Sequence, residues 1–447
     1  MKKKSTRREF LKKTALGTTA ISLGGLGFSA SSYKRIIGAN DQITVALVGC
    51  GRRLPGYFDP LVRNKDNINV AYICDVMKER REKGAAGLSE KIGYTPAIIN
   101  DFREALDDKK VDAIFNATPD HWHAPATWMA LEAGKHVYVE KPLTHNPREG
   151  EILLKYLKKY KKIVQMGNQQ RSAPDSIEII KQIHDGVIGN PYLAVAFYTN
   201  TRGRVKNPEP VAPPEGLDWD LFQGPAPRVP YMDIYFDYNW HWNWNFGTAE
   251  TGNNATHELD IGRWALQVDY PEEVSVNAGK FQYIDDGWTM YDTMDATFRF
   301  PGEKTIKWDG KSRNGYDTYG AGRGTIIYGS KGSVYVDRGS YKLYDLSGKL
   351  VKDSKSALGE AGTALGGGGG MTTLHVENFF DAIRGKAAQR SPIDEGGKST
   401  LLCHLGNIAS RTGKTLYCDI ENGHIKDKEA MKLWGRSYEP GWEPKIK

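Results

Sequence analysis

The stretch "ITVALVGCG" (residues 43–51) decides the fold of the first half of the chain. Its apolar and β-branched residues lead directly into Gly49 and Gly51, which is the pattern of a buried parallel strand followed by a tight turn. Glycines at such a turn let a pyrophosphate group approach main-chain amides at the start of a helix. The stretch therefore predicts a strand, a turn and a helix that together bind a dinucleotide.

Similar apolar runs follow along the chain. They are "NINVAYICD" (67–75), "VDAIFNATPD" (111–120), "HVYVEKP" (136–142) and "KIVQMGNQ" (162–169). Between them lie helix-like stretches, among them "APATWMALEAG" (124–134), which we expect to have Pro125 in its first turn and to stop at Gly134. This alternation predicts an α/β, Rossmann-type doubly wound domain whose ligands lie at the carboxyl ends of the strands.

Asp75 strengthens the prediction of a dinucleotide site. It follows the second apolar run, where a carboxylate accepts the ribose hydroxyls of NAD and repels the 2′-phosphate of NADP. We therefore predict NAD as the cofactor. Leu54 stands where the third glycine of the pattern is expected, which indicates a remodelled turn. Arg52 and Arg53 are either ligands of the pyrophosphate or solvated surface side chains.

The first 35 residues have the composition of an export signal. "STRREFLK" (5–12) contains paired arginines and precedes a weakly apolar stretch at 14–30, which is too poor in strongly apolar residues for a permanent membrane helix. It resembles the twin-arginine signal, which is read by a receptor. We expect a periplasmic protein that is exported folded and has no stable membrane span after processing; a disordered basic tail is the alternative.

The same segment accounts for the net charge of +7. Residues 1–35 hold nine basic residues and one acidic residue, which leaves 52 basic and 53 acidic residues in the rest of the chain. A neutral body argues against nucleic acid and anionic lipid as partners. The four cysteines are too few for a disulfide scaffold and lack metal-ligand spacing, so we predict buried thiols and no metal site.

The motifs "TPDHWH" (118–123) and "VEKPL" (139–143), together with the glycine turn, resemble those of the Gfo/Idh/MocA family of oxidoreductases. The resemblance implies an NAD-binding domain followed by an α+β domain with a large, open, mostly antiparallel sheet. It also implies oxidation or reduction of sugars, cyclitols or their derivatives, and a homo-oligomer, since the family is often dimeric or tetrameric. On this basis the chain divides into a signal segment (1–35), a Rossmann domain (41–165), a substrate and oligomerisation domain (166–420) and a C-terminal extension (421–447).

The resemblance also assigns residues that border the cofactor. Lys141 corresponds to the acid/base lysine of the family, and Pro142 to a cis proline that turns this lysine inward. A lysine in a partly dry cleft, beside a positively charged nicotinamide ring, loses its proton more easily than a free lysine. The residues that correspond to cofactor contacts are Thr118, Pro119, His123 and Glu140, with an ordinary loop histidine as the alternative for His123.

By the same resemblance, His257 lies on the substrate side of the cleft, and Asn253 occupies a position that is commonly Asp. On a helix, these two residues lie about one turn apart on one face, so both can meet one substrate. Because an amide does not exchange a proton, we expect Asn253 to orient a hydroxyl group while Lys141 and His257 carry proton transfer.

Two further stretches are candidates for contact with a carbohydrate substrate. By resemblance, "GNQQR" (167–171) places Asn168, Gln170 or Arg171 at the domain junction. In "YFDYNWHWNWNF" (235–246), Trp240, Trp242 and Trp244 either stack on a sugar ring or fill a sheet or subunit interface. Alternating segments between residues 191 and 351 predict the antiparallel sheet, whereas Gly366–Gly370 predict a mobile loop.

Three functions fit these features. The first is an NAD-dependent oxidoreductase that acts on a hydroxyl of a sugar, glycoside or cyclitol and holds its cofactor tightly, because little free NAD is expected outside the inner membrane. The second is a net non-redox glycosidase, lyase or epimerase that uses bound NAD for transient oxidation. The third is a non-catalytic binding protein on a dehydrogenase fold.

Overall fold

The computed structural model describes residues 42–354 and 370–446. In its first part, six parallel strands form one sheet in the order β3-β2-β1-β4-β5-β6. These strands are β1 (Ile43–Val48), β2 (Ile68–Cys74), β3 (Ala97–Ile99), β4 (Ala113–Asn116), β5 (His136–Val139) and β6 (Val164–Met166). Because the chain direction of the crossovers reverses between β1 and β4, a crevice opens at their carboxyl ends. The predicted Rossmann-type sheet is confirmed.

Five helices cover this sheet. They are α1 (Phe58–Arg63), α2 (Lys78–Ile92), α3 (Arg103–Asp107), α4 (Asp120–Glu132) and α5 (Pro147–Tyr160). Helix α5 has a favourable N-terminus, since the Asn146 side chain accepts a hydrogen bond of 3.2 Å from the Glu149 amide and Pro147 occupies the first turn.

Helix α4 begins earlier than predicted, so Pro125 lies in its second turn instead of its first. Proline has no amide hydrogen, and at this position it leaves the His121 carbonyl without its helical partner. The Arg436 guanidinium, from the end of the chain, donates a hydrogen bond of 2.6 Å to that carbonyl. A contact distant in sequence therefore makes the early start of α4 tolerable.

The second sheet has ten strands. In chain order they are β7 (Pro191–Thr201), β8 (Glu273–Gly279), β9 (Thr293–Phe300), β10 (Lys304–Lys311), β11 (Arg313–Asn314), β12 (Arg323–Gly329), β13 (Gly332–Val336), β14 (Tyr341–Asp345), β15 (Leu350–Asp353) and β16 (Leu416–Tyr417). The order is β15-β14-β13-β12-β7-β10-β9-β8-β16, and β11 pairs with β7. Within it, β7 and β10 run parallel and the other pairs antiparallel, which confirms the predicted mostly antiparallel sheet.

Five further helices complete the described chain. They are α6 (Pro174–His184), α7 (Trp219–Gln223), α8 (Thr256–Leu266), α9 (Gly370–Ile383) and α10 (Ile393–Thr412). Helix α8 packs on β7, β10 and β12 and buries Leu259 and Ala265 against Ile306 in the core of the second sheet. The predicted glycine loop lies outside the described residues except for Gly370, which begins α9.

Late segments of the chain return to the first sheet. Phe379 and Phe380 of α9 lie 5.8 and 5.9 Å, centroid to centroid, from Phe115 of β4. Trp442 packs edge-on against Trp122 of α4 at 5.1 Å. Residues from the second half of the chain thus complete the core of the first domain.

The sequence also led to predictions about cysteines, metal sites and membrane spans. All four cysteines are free and buried, as predicted. In the described ranges, no helix combines the length and apolar character needed to cross a bilayer, and no group of three His, Cys, Asp or Glu side chains is arranged to hold a metal ion.

Candidate active site

The glycine turn after β1 has the geometry that a dinucleotide site requires. Gly49 has φ +94°, and a Cβ atom there would lie 2.4 Å from the Ala117 carbonyl oxygen, so no larger residue fits. Gly51 is different, because a Cβ atom there would meet nothing closer than Arg80 at 3.9 Å. Both glycines line a cleft of about 420 Å³, and Gly51 leaves its main chain open to this space.

Leu54 does not block the cleft. It is 3% exposed and packs against Gly84 of α2, where an added Cβ atom would lie 2.6 Å from a Leu54 methyl carbon. In the usual pattern the third glycine allows close packing at this position. Here Gly84, on the facing helix α2, provides the space for close packing instead. The expected remodelled turn is present as a 3-10 turn at Leu54–Tyr57 that leads into the short helix α1.

Asp75 lies at the carboxyl end of β2 and lines the same cleft. Its carboxylate accepts hydrogen bonds from the amides of Cys50 at 2.6 Å and Met77 at 2.8 Å. Burial raises the pKa of Asp75, and these amide hydrogen bonds oppose that shift. The two amides fix the carboxylate beside the glycine turn while its remaining lone pairs stay available for ribose hydroxyls.

The paired arginines after the turn have separate roles. Arg53 lines the cleft but donates to the Glu140 carboxylate at 2.7 Å and to the Thr372 hydroxyl at 3.1 Å. Tyr57 also donates to Glu140, at 2.8 Å. Burial opposes ionisation of Glu140, but the charge of Arg53 lowers its pKa below the ordinary value. Arg52 remains mostly exposed at the rim of the cleft.

The motif at residues 118–123 forms the junction of β4 and α4. Thr118, Pro119 and His123 all line the cleft. His123 belongs to α4 and is not a loop residue; its Nδ1 lies 2.5 Å from the Pro142 carbonyl oxygen and its Nε2 2.7 Å from that of Thr118. It therefore ties together the two turns that follow β4 and β5.

Lys141 lies at the end of β5, before a cis peptide bond to Pro142, and projects into the cleft. Its ammonium group donates a hydrogen bond to the Asn253 main-chain carbonyl. Burial lowers the pKa of Lys141 from 10.5 to about 8, although the charges of Asp120 and Glu140 act in the opposite direction. A lysine with this pKa can both accept and release a proton near neutral pH.

Asn253 and His257 face Lys141 from the second domain. Asn253 lies in a π-helical turn, Thr251–Ala255, that continues into α8, and both side chains line the cleft. Such turns are frequent at functional sites. His257 is 5% exposed, and burial, followed by the charge of Arg338, lowers its pKa well below 6.5. Its imidazole is therefore neutral at physiological pH.

Three predicted substrate residues do not line the cleft. Arg171 forms a buried, two-pronged ion pair with Asp260, at 2.7 and 2.9 Å. Trp242 is 1% exposed and stacks on Trp288 at 4.0 Å, so it belongs to the core. Asn168 is buried outside the cleft, and neither its amide oxygen nor its amide nitrogen has a hydrogen-bond partner among the described residues. Long-range packing, which the motif does not encode, holds each of these three side chains outside the cleft.

Residues 235–241, here called the aromatic strap, contribute five residues to the lining of the cleft. Asp237 of the strap lies 3.0 Å from an Arg80 nitrogen and 3.6 Å from an Arg52 nitrogen. The Arg80 and Arg52 guanidinium groups also lie over the rings of Phe236 and Tyr238, at 4.1 and 4.3 Å. The strap therefore connects the second domain to the glycine turn and to α2.

Comparison with known proteins identifies the family. Residues 43–168 match the profile described as "Oxidoreductase family, NAD-binding Rossmann fold", and residues 177–443 match "Oxidoreductase family, C-terminal alpha/beta domain". The chain belongs to the Gfo/Idh/MocA family. Its first domain is accordingly an NAD-binding domain, and the open glycine turn beside Asp75 fits that cofactor.

Individual members of the Gfo/Idh/MocA family resemble parts of this chain. One is an inositol 2-dehydrogenase/D-chiro-inositol 3-dehydrogenase of Lactiplantibacillus plantarum, 26% identical over 150 residues, which are 33% of this chain and 42% of that protein. Another is a glycosyl hydrolase family 109 protein of Saccharopolyspora erythraea, 25% identical over 255 residues, which are 51% of this chain and 55% of that protein. The chain thus spans about half the length of these relatives.

A solved structure shares the fold. The aldose-aldose oxidoreductase of Caulobacter crescentus, in complex with glycerol, superposes with a TM-score of 0.63 at 18% identity. The match covers 84% of this chain and 99% of that one. At this identity the likeness shows the arrangement of the two domains and nothing about the substrate.

The structure adds cleft residues that the family motifs did not single out. Asp120 follows the Thr-Pro pair and is buried beside Lys141, with a hydrogen bond of 2.5 Å from the Thr248 hydroxyl. Burial raises its pKa. Arg202 of the second domain forms a buried ion pair with Glu250 at 3.0 Å and contributes to the cleft wall. Asp120 lies within the motif at residues 118–123, and its acidic side chain there was the one available signal.

Proposed function

We propose that this protein is an NAD-dependent oxidoreductase that acts on a hydroxyl group of a sugar, glycoside or cyclitol. One observation carries the proposal: the Lys141 amine lies in the same cleft as the glycine turn and Asp75, opposite His257. An inositol dehydrogenase among the relatives supports this class of substrate.

The chain's own residues suffice to hold NAD and to move a proton. When bound, NAD supplies a hydride acceptor. Gly49, Gly51 and Asp75 would hold the adenosine and pyrophosphate parts, and Thr118, Pro119, His123 and Glu140 line the wall beside Lys141. The space at Gly51 and the ordered Asp75 carboxylate are the features that fit the cofactor.

Lys141 is the proposed base for the substrate hydroxyl. In its neutral form Nζ accepts the hydroxyl proton, and the Asn253 carbonyl then accepts a hydrogen bond from the resulting ammonium group. The imidazole of His257 is neutral and has no hydrogen-bond partner among the described residues, so it is free to orient the same hydroxyl or its neighbour. Asn253 and Asp120 complete the polar wall around the reacting group.

The aromatic strap supports tight retention of the cofactor. Two arginines beside the glycine turn, Arg52 and Arg80, reach the strap through Asp237 and through ring contacts. Release of a bound dinucleotide then requires these contacts to open. Denaturing the purified protein and assaying the supernatant for NAD tests retention directly; absence of nucleotide after gel filtration contradicts it.

A net non-redox reaction on a glycoside is the second candidate. It is favoured by the glycosyl hydrolase family 109 relative, whose match extends further along this chain than that of the inositol dehydrogenase. In such a reaction the product has the same oxidation state as the substrate. Mass analysis of a single turnover separates the two candidates, because oxidation of a hydroxyl lowers the product mass by two hydrogens and glycoside hydrolysis does not.

The decisive experiment measures NADH formation with a panel of cyclitols, aldoses and methyl glycosides. The Lys141→Met variant is the matched control. We expect the variant to bind NAD with similar affinity and to lose about 10²- to 10⁴-fold in kcat, because it lacks the base. Unchanged turnover in this variant would favour a different base, and absence of any turnover in both proteins would favour the non-catalytic alternative.

We also propose export in folded form, with the cofactor already bound. The paired Arg7 and Arg8 and the weakly apolar stretch that follows support the twin-arginine route. The test is a fractionation of cells that express the chain with Arg7→Lys and Arg8→Lys. Retention of the double variant in the cytoplasm is the expected result, and unchanged export contradicts the proposal.

A further inference from the structure

Most charged residues of the cleft have a partner of opposite charge or hydrogen bonds from the main chain. One of them, described below, does not. Arg53 pairs with Glu140, Arg202 with Glu250, and Arg52 and Arg80 share Asp237. Asp75 is held by main-chain amides and Lys141 lies near Asp120. Arg338 also lines the cleft, yet no ion pair within residues 42–354 and 370–446 includes its guanidinium group.

Arg338 is held in place by a rigid turn between β13 and β14. The Asp337 carboxylate accepts hydrogen bonds of 2.7 Å from the amides of both Gly339 and Ser340. The Asp337 carbonyl accepts another, of 2.7 Å, from the Gln170 side chain. The carboxylate adjacent to Arg338 in sequence is therefore committed to the turn and does not neutralise the arginine.

Glu258 of α8 acts on both Arg338 and Arg323. Its Oε1 accepts two hydrogen bonds from Arg323, of 2.9 and 2.5 Å, whereas its Oε2 has no hydrogen-bond partner among the described residues. One carboxylate therefore faces two guanidinium groups, which leaves one positive charge in excess. The Nη2 atom of Arg338 is enclosed and has no hydrogen-bond partner among the described side chains and main chain. Burial, and then the charge of Arg323, lower the pKa of Arg338 to about 9. A partly desolvated guanidinium group without a partner is unfavourable unless a ligand supplies an anion.

The position of Arg338 indicates which bound molecule would supply this anion. Among charged groups, Arg338 has the strongest effect on His257, and it also acts on Lys141. Arg338 therefore shares the cleft with Lys141 and His257 and acts on both, where the proposed function puts the carbohydrate.

We propose that Arg338 forms a carboxylate subsite, so that the preferred substrate is a sugar acid such as a uronate or uronoside. The inference rests on the proposed function and narrows its substrate class. A carboxylate matches the site because it carries one negative charge and two coplanar oxygens, which a guanidinium group binds through two parallel hydrogen bonds. A phosphate ester dianion would leave about one negative charge unmatched by a single free cation.

The test compares matched carbohydrates that differ in one group. Glucose, galactose and mannose, and their methyl glycosides, are each compared with the corresponding uronate and 6-phosphate. Affinity is measured by calorimetry on the NADH-loaded protein, and kcat/KM by NADH formation. The variants are Arg338→Gln and Arg338→Lys, with Arg204→Gln as control, because Arg204 is an exposed arginine that pairs with Asp285 outside the cleft.

We expect at least one uronate to bind about 10- to 100-fold more tightly than its neutral match, which is the usual range for a charge-assisted, two-pronged contact. Arg338→Gln should remove this preference, Arg338→Lys should keep part of it, and Arg204→Gln should keep all of it. All variants should retain their NAD affinity, which reports on folding.

Three outcomes overturn the proposal. They are the absence of a uronate preference in the natural chain, a stronger preference for the 6-phosphate, and a uronate preference that survives Arg338→Gln. Failure of the oxidoreductase proposal is recognised separately, as the absence of NADH formation with every sugar, and the calorimetric comparison still decides the role of Arg338.

Discussion

The Lys141 ammonium group donates its hydrogen bond to the main-chain carbonyl of Asn253, across the cleft between the two sheets. Lys141 lies two residues after the end of the parallel sheet's fifth strand, whereas Asn253 lies in the π-helical turn before α8. A carbonyl oxygen orients an ammonium group without contributing a full charge, so burial remains the largest influence on this lysine. The contact makes the basicity of Lys141 depend on how closely the two domains approach.

The first prediction concerns pH. Because the base must be neutral and its pKa is about 8, we expect kcat/KM to rise about tenfold per pH unit below that value and to level off above it. The pKa of His257 lies well below 6.5, so this residue stays neutral across the same range. His257→Asn should lower activity but keep the pH profile, whereas the residual activity of Lys141→Met should lose it. A profile of the same shape in Lys141→Met would show that another group titrates.

The second prediction separates two glycines of one turn. Gly49→Ala places a side chain at φ +94° and 2.4 Å from a carbonyl oxygen, so we expect it to lower the free energy of unfolding by about 1–3 kcal/mol or more. Gly51→Val directs its side chain into the cleft, where no atom outside the turn lies closer than 3.9 Å to its Cβ. This variant should keep its thermal stability and lose NAD affinity at least tenfold.

Denaturant unfolding and NAD titration of both glycine variants check this difference. An unstable Gly51→Val, or a Gly49→Ala that unfolds like the natural chain, would contradict the assigned geometry.

The third prediction concerns release of the cofactor. Asp237→Asn keeps a residue that tolerates the observed φ of 77° but removes the charge that bridges Arg52 and Arg80. Exposed ion pairs contribute about 0.2–1 kcal/mol each, so we expect NAD to dissociate about two- to tenfold faster. The effect should fade with added salt. Stopped-flow displacement of NAD measures the rate, and Asp285→Asn, at a comparable exposed pair, should leave it unchanged.

The fourth prediction concerns the end of the chain. Arg436 pairs with the fully buried Glu149 at 2.8 Å and also satisfies the His121 carbonyl. Arg436→Ala leaves a buried carboxylate unpaired, so we expect it to lower the free energy of unfolding by about 3–5 kcal/mol. Lys445→Ala is the control from the same segment, because its pair with Glu132 is exposed and should contribute less than about 1 kcal/mol. Equal effects of the two substitutions in denaturant unfolding would contradict this account.

Local sequence was sufficient to predict the part of the site that lies at strand ends. Gly49, Asp75 and Lys141 each follow an apolar run, and parallel strands bring their carboxyl ends to one edge of a sheet. Their convergence in one cleft therefore follows from the pattern. The same reasoning could not show that Gly84 compensates for Leu54, because that contact joins two separate helical segments.

The second domain was predicted less completely, for a related reason. Its strands were visible as alternating segments, but the direction of a side chain near a domain junction depends on partners far along the chain. Arg171 and Arg338 are both arginines beside the junction, and only the presence of Asp260 opposite the first decides that it is structural. Trp242 is one of three alternating tryptophans in the sequence. Its place in the core depends on its stacking against Trp288, which lies far along the chain.

The Arg436 guanidinium replaces the amide hydrogen that Pro125 lacks, and this has a consequence for biosynthesis. Helix α4 carries part of the cofactor wall, yet its His121 carbonyl is satisfied by a residue 315 positions further along the chain. The nucleotide-binding half therefore cannot reach its final state before Arg436 has been synthesised. Chains that stop before Arg436 lack this contact, and we expect them to expose a weakened helix α4 to proteases.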